Sequence, residues 1–549
     1  MTRPPVGFPF VPIGGVDFPA HVVLPGNITF WGSPFSGKSL LMSMLMKALL
    51  PFFHGFVFDE KQDLLALLHG ILPADRIANL HPFDANGLAW DLKRDLASPL
   101  ARQAFANALI PEGLGGNAGN SRFWDSNARD IVEAVEEGLA KLDILDLYNL
   151  ICALSPDHIY DVLRLTERGQ RVVANVLTSK ATAVDRPQDL ISTISSHVDR
   201  LIPVALAMKH HQDAGRTFSL NDWVSKMTTQ TCIRVARDAR YAPSLDPLLG
   251  IMLGYTENLI LARPGDIPIP DFLFFLDEGH ELARMWRRLP QFMALSRSKG
   301  VSTILATQTL SGLRLALDSR DAAQAISELS RTTVFLRSDS PEVGRMLCDL
   351  AGKQTVLRRQ PNFGGSENDG YQSGSNVSHG YSGVTLCQGK PTSWRDVNFS
   401  TQKSDTSSFG RGYNGSTTLV LQTEDVAPPY ALLNLPQPSP TSGLSCFCRV
   451  ASAMWAPRID PRWIELRTPK AALIDEPPLD IEHTTFKRWS RAESARLFGR
   501  ERGGFFDAIG RSSEPTLASA TPRVPFSDPL TPSRTPVPPP ATRPPRRRR

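Results

Sequence analysis

Cysteine is scarce in this 549-residue chain: only Cys152, Cys232, Cys348, Cys387, Cys446 and Cys448 occur. That argues against a disulfide scaffold and for reduced thiols in the cytoplasm. Cys446-Phe447-Cys448 lacks the two-residue gap of a zinc knuckle, and no second pair follows. Long apolar runs are also missing. The most apolar stretch, 40–58, is broken by Lys47, Pro51 and His54, so no membrane span is expected. The N-terminus has no charged segment leading into an apolar run, which excludes a secretory signal. One-sided charge is absent from the body. Residues 512–549 hold seven Arg against Glu514 and Asp528, and so carry the whole net charge of +5. The basic balance belongs to a tail and says little about the rest.

What remains is globular: 41% hydrophobic and 21% charged residues. The length suggests roughly three or four structural units. Residues 1–26 read as an irregular or short-strand lead-in. Residues 27–95 open a nucleotide-binding core. Ile28–Trp31 is an apolar run before a Gly-rich turn, Ser39–Leu50 has a helical pattern, and Gly55–Phe58 is a second apolar run ending at Asp59. Strand, loop, helix, strand begins an α/β parallel sheet. Residues 96–216 form an all-α insert. There Trp124, Ala128, Ile131, Val132, Val135, Leu139 and Leu142 step mostly by three and four. Residues 217–360 return to the core, with strands predicted at Thr231–Val235, Phe272–Leu276, Ser302–Ala306 and Thr333–Leu336. Residues 361–417, with ten Gly and eleven Ser, predict a long polar loop. Residues 418–511 complete the core and add a C-terminal helical segment, with a strand at Thr418–Leu421. The tail 512–549, with eleven Pro, is expected to be disordered.

Gly32-Ser33-Pro34-Phe35-Ser36-Gly37-Lys38-Ser39 fits the phosphate-loop pattern in full. Glycines let the backbone wrap a phosphate chain with N–H groups inward. Lys38 would reach the β- and γ-phosphates of ATP, and the Ser39 hydroxyl would ligate Mg²⁺. Phe272–Leu276 then runs into Asp277-Glu278, as a buried parallel strand does at its ligand-binding end. Asp277 would hold Mg²⁺ through water, and Glu278 would polarise the attacking water as general base. Gln308, after Ser302–Ala306, could contact the γ-phosphate or simply cap the strand. Arg297 is a candidate arginine finger for a neighbouring subunit, with Arg331 and Arg337 as rivals. Asp277-Glu-Gly-His280 also fits a helicase pattern. The distance from Lys38 and the lack of a Gln-x-x-Gly-Arg-x-Gly-Arg segment argue against that reading. His280 then reads as a helix N-terminal residue. His210-His211 with Asp213 reads as a solvated helix end rather than a metal site.

Together these residues resemble the cytoplasmic part of conjugative coupling proteins of the TraD/TraG type, over about residues 27–460. Phe56-Val-Phe-Asp59-Glu-Lys61 is similar to the family's second strand. His81-Pro-Phe-Asp84, Ala89-Trp-Asp-Leu and Ala108-Leu-Ile-Pro111 resemble the lead into its all-α domain, and Arg122-Phe-Trp124 with Ala128-Arg129 its start. Leu276–Leu282 with Leu289-Pro290 resembles its Walker B region, and Ser296-Arg297 through Gln308 its Arg-to-Gln spacing. Ala351–Thr355 and Thr423–Val426 resemble later core strands. The resemblance implies a RecA-like P-loop NTPase core with an inserted all-α domain. It further implies a homo-hexamer that uses ATP to feed DNA and attached relaxase into a type IV secretion channel. Two features depart from the family. Gly279-His280 stands where it often has an aromatic residue. Its transmembrane start has no counterpart before residue 32, so a separate membrane partner is expected to anchor a cytoplasmic protein. The competing readings are an intracellular FtsK/HerA-like DNA pump and a nucleotide-gated adaptor for protein substrates.

Overall fold

Short apolar runs build a nine-stranded sheet in the computed structural model of the chain. The structure describes all residues except 1–8, 111–117, 178–186, 366–376, 380–398, 402–412, 475, 482–483 and 499–549. The Pro/Arg-rich tail therefore lies outside the described residues. The strands are β1 Asn27–Trp31, β2 His54–Asp59, β3 Ile77–Leu80, β4 Cys232–Ala236, β5 Phe272–Leu276, β6 Val301–Thr307, β7 Ser330–Phe335, β8 Phe447–Val450 and β9 Ala453–Trp455. Their order across the sheet is β9-β8-β7-β1-β6-β5-β2-β4-β3. From β7 to β3 every pairing is parallel. The β7–β8 and β8–β9 pairings are antiparallel.

A parallel sheet buried on both faces needs continuous apolar strands, and all five residues of β5 are buried. Phe274 stacks on Phe56 at 4.9 Å, and Trp223 meets Phe272 edge-on at 4.8 Å. After β1 the chain passes through the helix Lys38–Leu49 and crosses β6 and β5 before entering β2. The C-terminal ends of β1, β6 and β5 thus lie side by side, at the crevice where ligands bind in open α/β sheets.

Every described element from Pro99 to Asp213 is helical. The helix Ala118–Lys141 buries Ala128, Ile131, Val132, Val135 and Leu139, the apolar series read from the sequence. His211, expected at a solvated helix end, is instead fully buried. Its Nε2 donates to the Pro82 carbonyl at 2.8 Å, and its Nδ1 lies 2.9 Å from Arg216 Nη2. Burial there lowers its pKa. The helix end packs on the turn after β3, which no local pattern discloses.

The expected polar loop over 361–417 gives way at both ends. Lys353–Gly365 and Tyr413–Asp425 pair antiparallel in continuous register. With the short strands Val377–His379 and Phe399–Thr401 they form a four-stranded sheet. Ala351–Thr355 and Thr423–Val426 were expected in the core. The strand residues within them pair with each other instead, Lys353 with Asp425 and Thr355 with Thr423. A long antiparallel ladder satisfies its own backbone and needs little apolar sequence, so composition alone reads it as loop.

At the N-terminus, Phe10–Ile13 and Val16–Pro19 form a hairpin. Gly14 at its tip has φ +56 and packs so close to Cys448 and Trp455 that a side chain would collide. The five described cysteines are free thiols. Among the described residues no helix is long and apolar enough to cross a membrane.

Candidate nucleotide site

The phosphate loop begins where β1 stops. Gly32 N donates to Thr307 O at the end of β6, and Ser33 N to Arg337 O beyond β7. The loop is therefore tied to both neighbouring strands. Gly37 caps the following helix with φ 100, a left-handed conformation that favours glycine. A Cβ there would collide with Leu444 Cδ1. A Cβ on Gly32 would collide with Ser36 Oγ and Leu336 Cβ. The buried Ser36 hydroxyl has no hydrogen-bond partner among the described residues. Phe35 also has positive φ, at 60, and its ring is 94% exposed. Pro34 precedes it and Ser33 Oγ accepts from Asp339 N at 3.0 Å.

Lys38 is buried, and burial lowers its pKa. Its Nζ donates to the carbonyls of Gly32 at 2.7 Å and Ser33 at 3.0 Å. Ser39 Oγ donates to Asp277 Oδ2 at 3.3 Å. Residues 238 positions apart thus place a hydroxyl and a carboxylate together. That oxygen pair suits Mg²⁺, a hard cation that keeps most of its waters.

Glu278 follows β5 with φ 48 and is almost wholly buried. Both of its carboxylate oxygens are held. Lys61 Nζ donates to Oε1 and Gln308 Nε2 to Oε2, each at 2.8 Å. Lys61 also lies 3.8 Å from Asp277 Oδ2. The two adjacent acids shift in opposite directions. Burial raises the pKa of Asp277 against the pull of Lys61. Burial also pushes Glu278 up, but the Lys61 and Gln308 hydrogen bonds and the charges of Lys61 and Lys38 carry it below its ordinary value. Such separation assigns different roles to paired carboxylates. The two adjacent carboxylates thus sit in different electrostatic surroundings, Glu278 favoured towards its charged form and Asp277 away from it.

The structure brings Gly32–Ser39, Asp277, Glu278 and Gln308 into one place. It does not bring Arg297 there. Arg297 is exposed in the turn before β6, at the opposite end of that strand from Gln308. Arg331 is the second residue of β7, at the same end, and Arg337 gives its carbonyl to the phosphate loop. His280 is the second residue of the helix Gly279–Met285, with Nδ1 3.7 Å from Glu278 Oε2. Lys61 was missed as a functional residue. Its signal was present: a lysine two positions beyond a buried strand ending in Asp59. Asp59 accepts from Asp63 N, Leu64 N and Arg234 Nε, and so fixes the turn that presents Lys61. A narrow glycine cradle, an unsatisfied buried hydroxyl, a lysine and a hydroxyl–carboxylate pair fit a polyphosphate with Mg²⁺.

The family described as the type IV secretion-system coupling protein DNA-binding domain matches residues 11–380. No curated protein matches the chain in sequence. The bacterial conjugative coupling protein TrwBdeltaN70, unbound form, is similar with a TM-score of 0.55 and 16% identity, over 84% of this chain and 90% of that one. TrwB in complex with ADP and Mg²⁺ is similar with a TM-score of 0.55 and 15% identity, over 85% and 90%. TrwB with the non-hydrolysable ATP analogue ADPNP gives 0.54 and 15%, over 84% and 90%.

Proposed function

This chain belongs to the type IV secretion-system coupling proteins, and we propose that it is an ATP-hydrolysing motor that passes DNA with attached relaxase to a conjugation channel. The observation that carries the reading is the grip on Glu278 by Lys61 and Gln308, beside a complete phosphate loop. An ionised, oriented carboxylate at that position serves an attacking water, which a merely nucleotide-binding scaffold does not need.

The residues divide the work. The backbone N–H groups at the end of the loop, through Gly37, Lys38 and Ser39, would bind the phosphates, and Lys38 would exchange its two carbonyl bonds for phosphate oxygens. Ser39 and Asp277 would hold Mg²⁺, which when bound would supply charge neutralisation on the phosphates. Glu278 orients the water and takes its proton. Gln308 bonds Glu278 from the next strand, and is positioned to link the state of the phosphate to β6. Arg297 faces away from its own site, which suits a finger given to a neighbour in a homo-hexamer.

The test is ATP hydrolysis by the full chain with single-stranded DNA, double-stranded DNA and none, with Lys38→Ala as control. The expected result is stimulation by one DNA form that vanishes in Lys38→Ala. Hydrolysis indifferent to both DNAs would overturn the DNA-motor reading and favour the protein-substrate adaptor.

A further inference from the structure

The turn after β3 holds a cluster that the nucleotide site does not use. His81, Asp84 and Glu476 each offer one ligand atom, and the three atoms lie within 4.8 Å of one another. His81 is only 5% exposed, yet neither ring nitrogen has a hydrogen-bond partner. A buried imidazole with two orphaned nitrogens is costly unless something occupies them.

We propose that His81, Asp84 and Glu476 bind a divalent first-row transition ion of the zinc class, which clips the segment carrying Glu476 onto the sheet. The ligand chemistry is an imidazole nitrogen with two carboxylates, leaving room for water. An imidazole suits such an ion, whereas Mg²⁺ prefers oxygen donors throughout.

The supporting shell is in place. Asp84 Oδ2 accepts from Asn79 Nδ2 at 2.7 Å, and Oδ1 accepts from Asn86 N at 2.9 Å. These bonds orient the carboxylate, as outer contacts do at metal centres. The turn is tight: Asp84 N bonds His81 O, and Gly87 N bonds Asp84 O. Arg234, which bonds Glu476, is itself matched by a second carboxylate. Arg234 gives Nε to Asp59 and Nη1 to Asn79 and Glu476. Asp59 thus offsets its charge, and the three ligands keep two negative charges for an incoming ion. Around the cluster, Ala85 N bonds Pro477 O and Leu479 N bonds Phe83 O. The Glu476 segment is therefore already laid against the turn that the ion would lock.

The full chain, stripped with chelator and free of nucleotide, is titrated with Zn²⁺ by calorimetry and with Co²⁺ by absorption. Four proteins are compared: wild type, Asp277→Asn, His81→Ala and Glu476→Gln. Wild type and Asp277→Asn are expected to bind one more equivalent than the other two. Millimolar Mg²⁺ should not displace it. Zn²⁺ should raise Tm only in the first pair. Equal stoichiometry in all four, or loss of the extra equivalent in Asp277→Asn alone, overturns the proposal. If His81→Ala does not fold, the isosteric Glu476→Gln decides by itself.

Discussion

At the residue scale, the central unit is one carboxylate held by two donors that follow different strands. Glu278 sits in a buried environment that by itself favours its neutral form, and Lys61 is the main counterweight. In Lys61→Ala the pKa of Glu278 rises. A general base works when ionised, so the acid limb of the pH–rate profile moves to higher pH. The rate at neutral pH falls by roughly 10²-fold, the lower end of what a general base contributes. Lys61→Arg should restore most of the limb, because a guanidinium also pairs with a carboxylate. An unmoved limb in Lys61→Ala would remove Lys61 from the mechanism. The phosphate loop and Asp277-Glu278 were legible because their chemistry is written in contiguous residues. Lys61 was signalled only by its place two residues after the strand ending in Asp59, and the partner that gives it a role lies 217 residues away.

At the scale of elements, the central strands were legible and the edges were not. β5 reads plainly because both of its faces are buried. β3 contains Asn79, which no apolar pattern would admit. Its side chain is satisfied by Asp84 and Arg234. β8 alternates buried and half-buried residues over only four positions, too short a run to register. The ladder Lys353–Gly365 with Tyr413–Asp425 was hidden by the Gly- and Ser-rich composition between its strands. Because β5 runs into Asp277 and Glu278, its packing is expected to control their placement. Phe274→Ala, which removes the ring stacked on Phe56, should cost about 3–5 kcal/mol of stability. Chemical denaturation measures this, and a loss under about 1 kcal/mol would mean the sheet centre repacks freely.

At the scale of the whole molecule, the position of Arg297 makes each chain incomplete as a catalyst under the proposed hexameric reading. Arg297→Ala retains its own Glu278, and Glu278→Gln retains its own Arg297. Each alone should hydrolyse ATP poorly. Mixing the two should recover activity, because some interfaces then join an intact base to an intact arginine. Mixtures no more active than their parents would return Arg297 to the role of a solvated turn residue.

The packing of Leu444 on Gly37 also orders events during synthesis. The phosphate loop leaves the ribosome some 400 residues ahead of the side chain that seals its last glycine. At about 5–20 residues per second that interval is roughly 20–80 s. Every side chain placed at the site precedes Leu444 in the chain, Gln308 being the last of them. A chain that stalls before Leu444 therefore carries the whole set of site residues and lacks the side chain packed on the loop's last glycine.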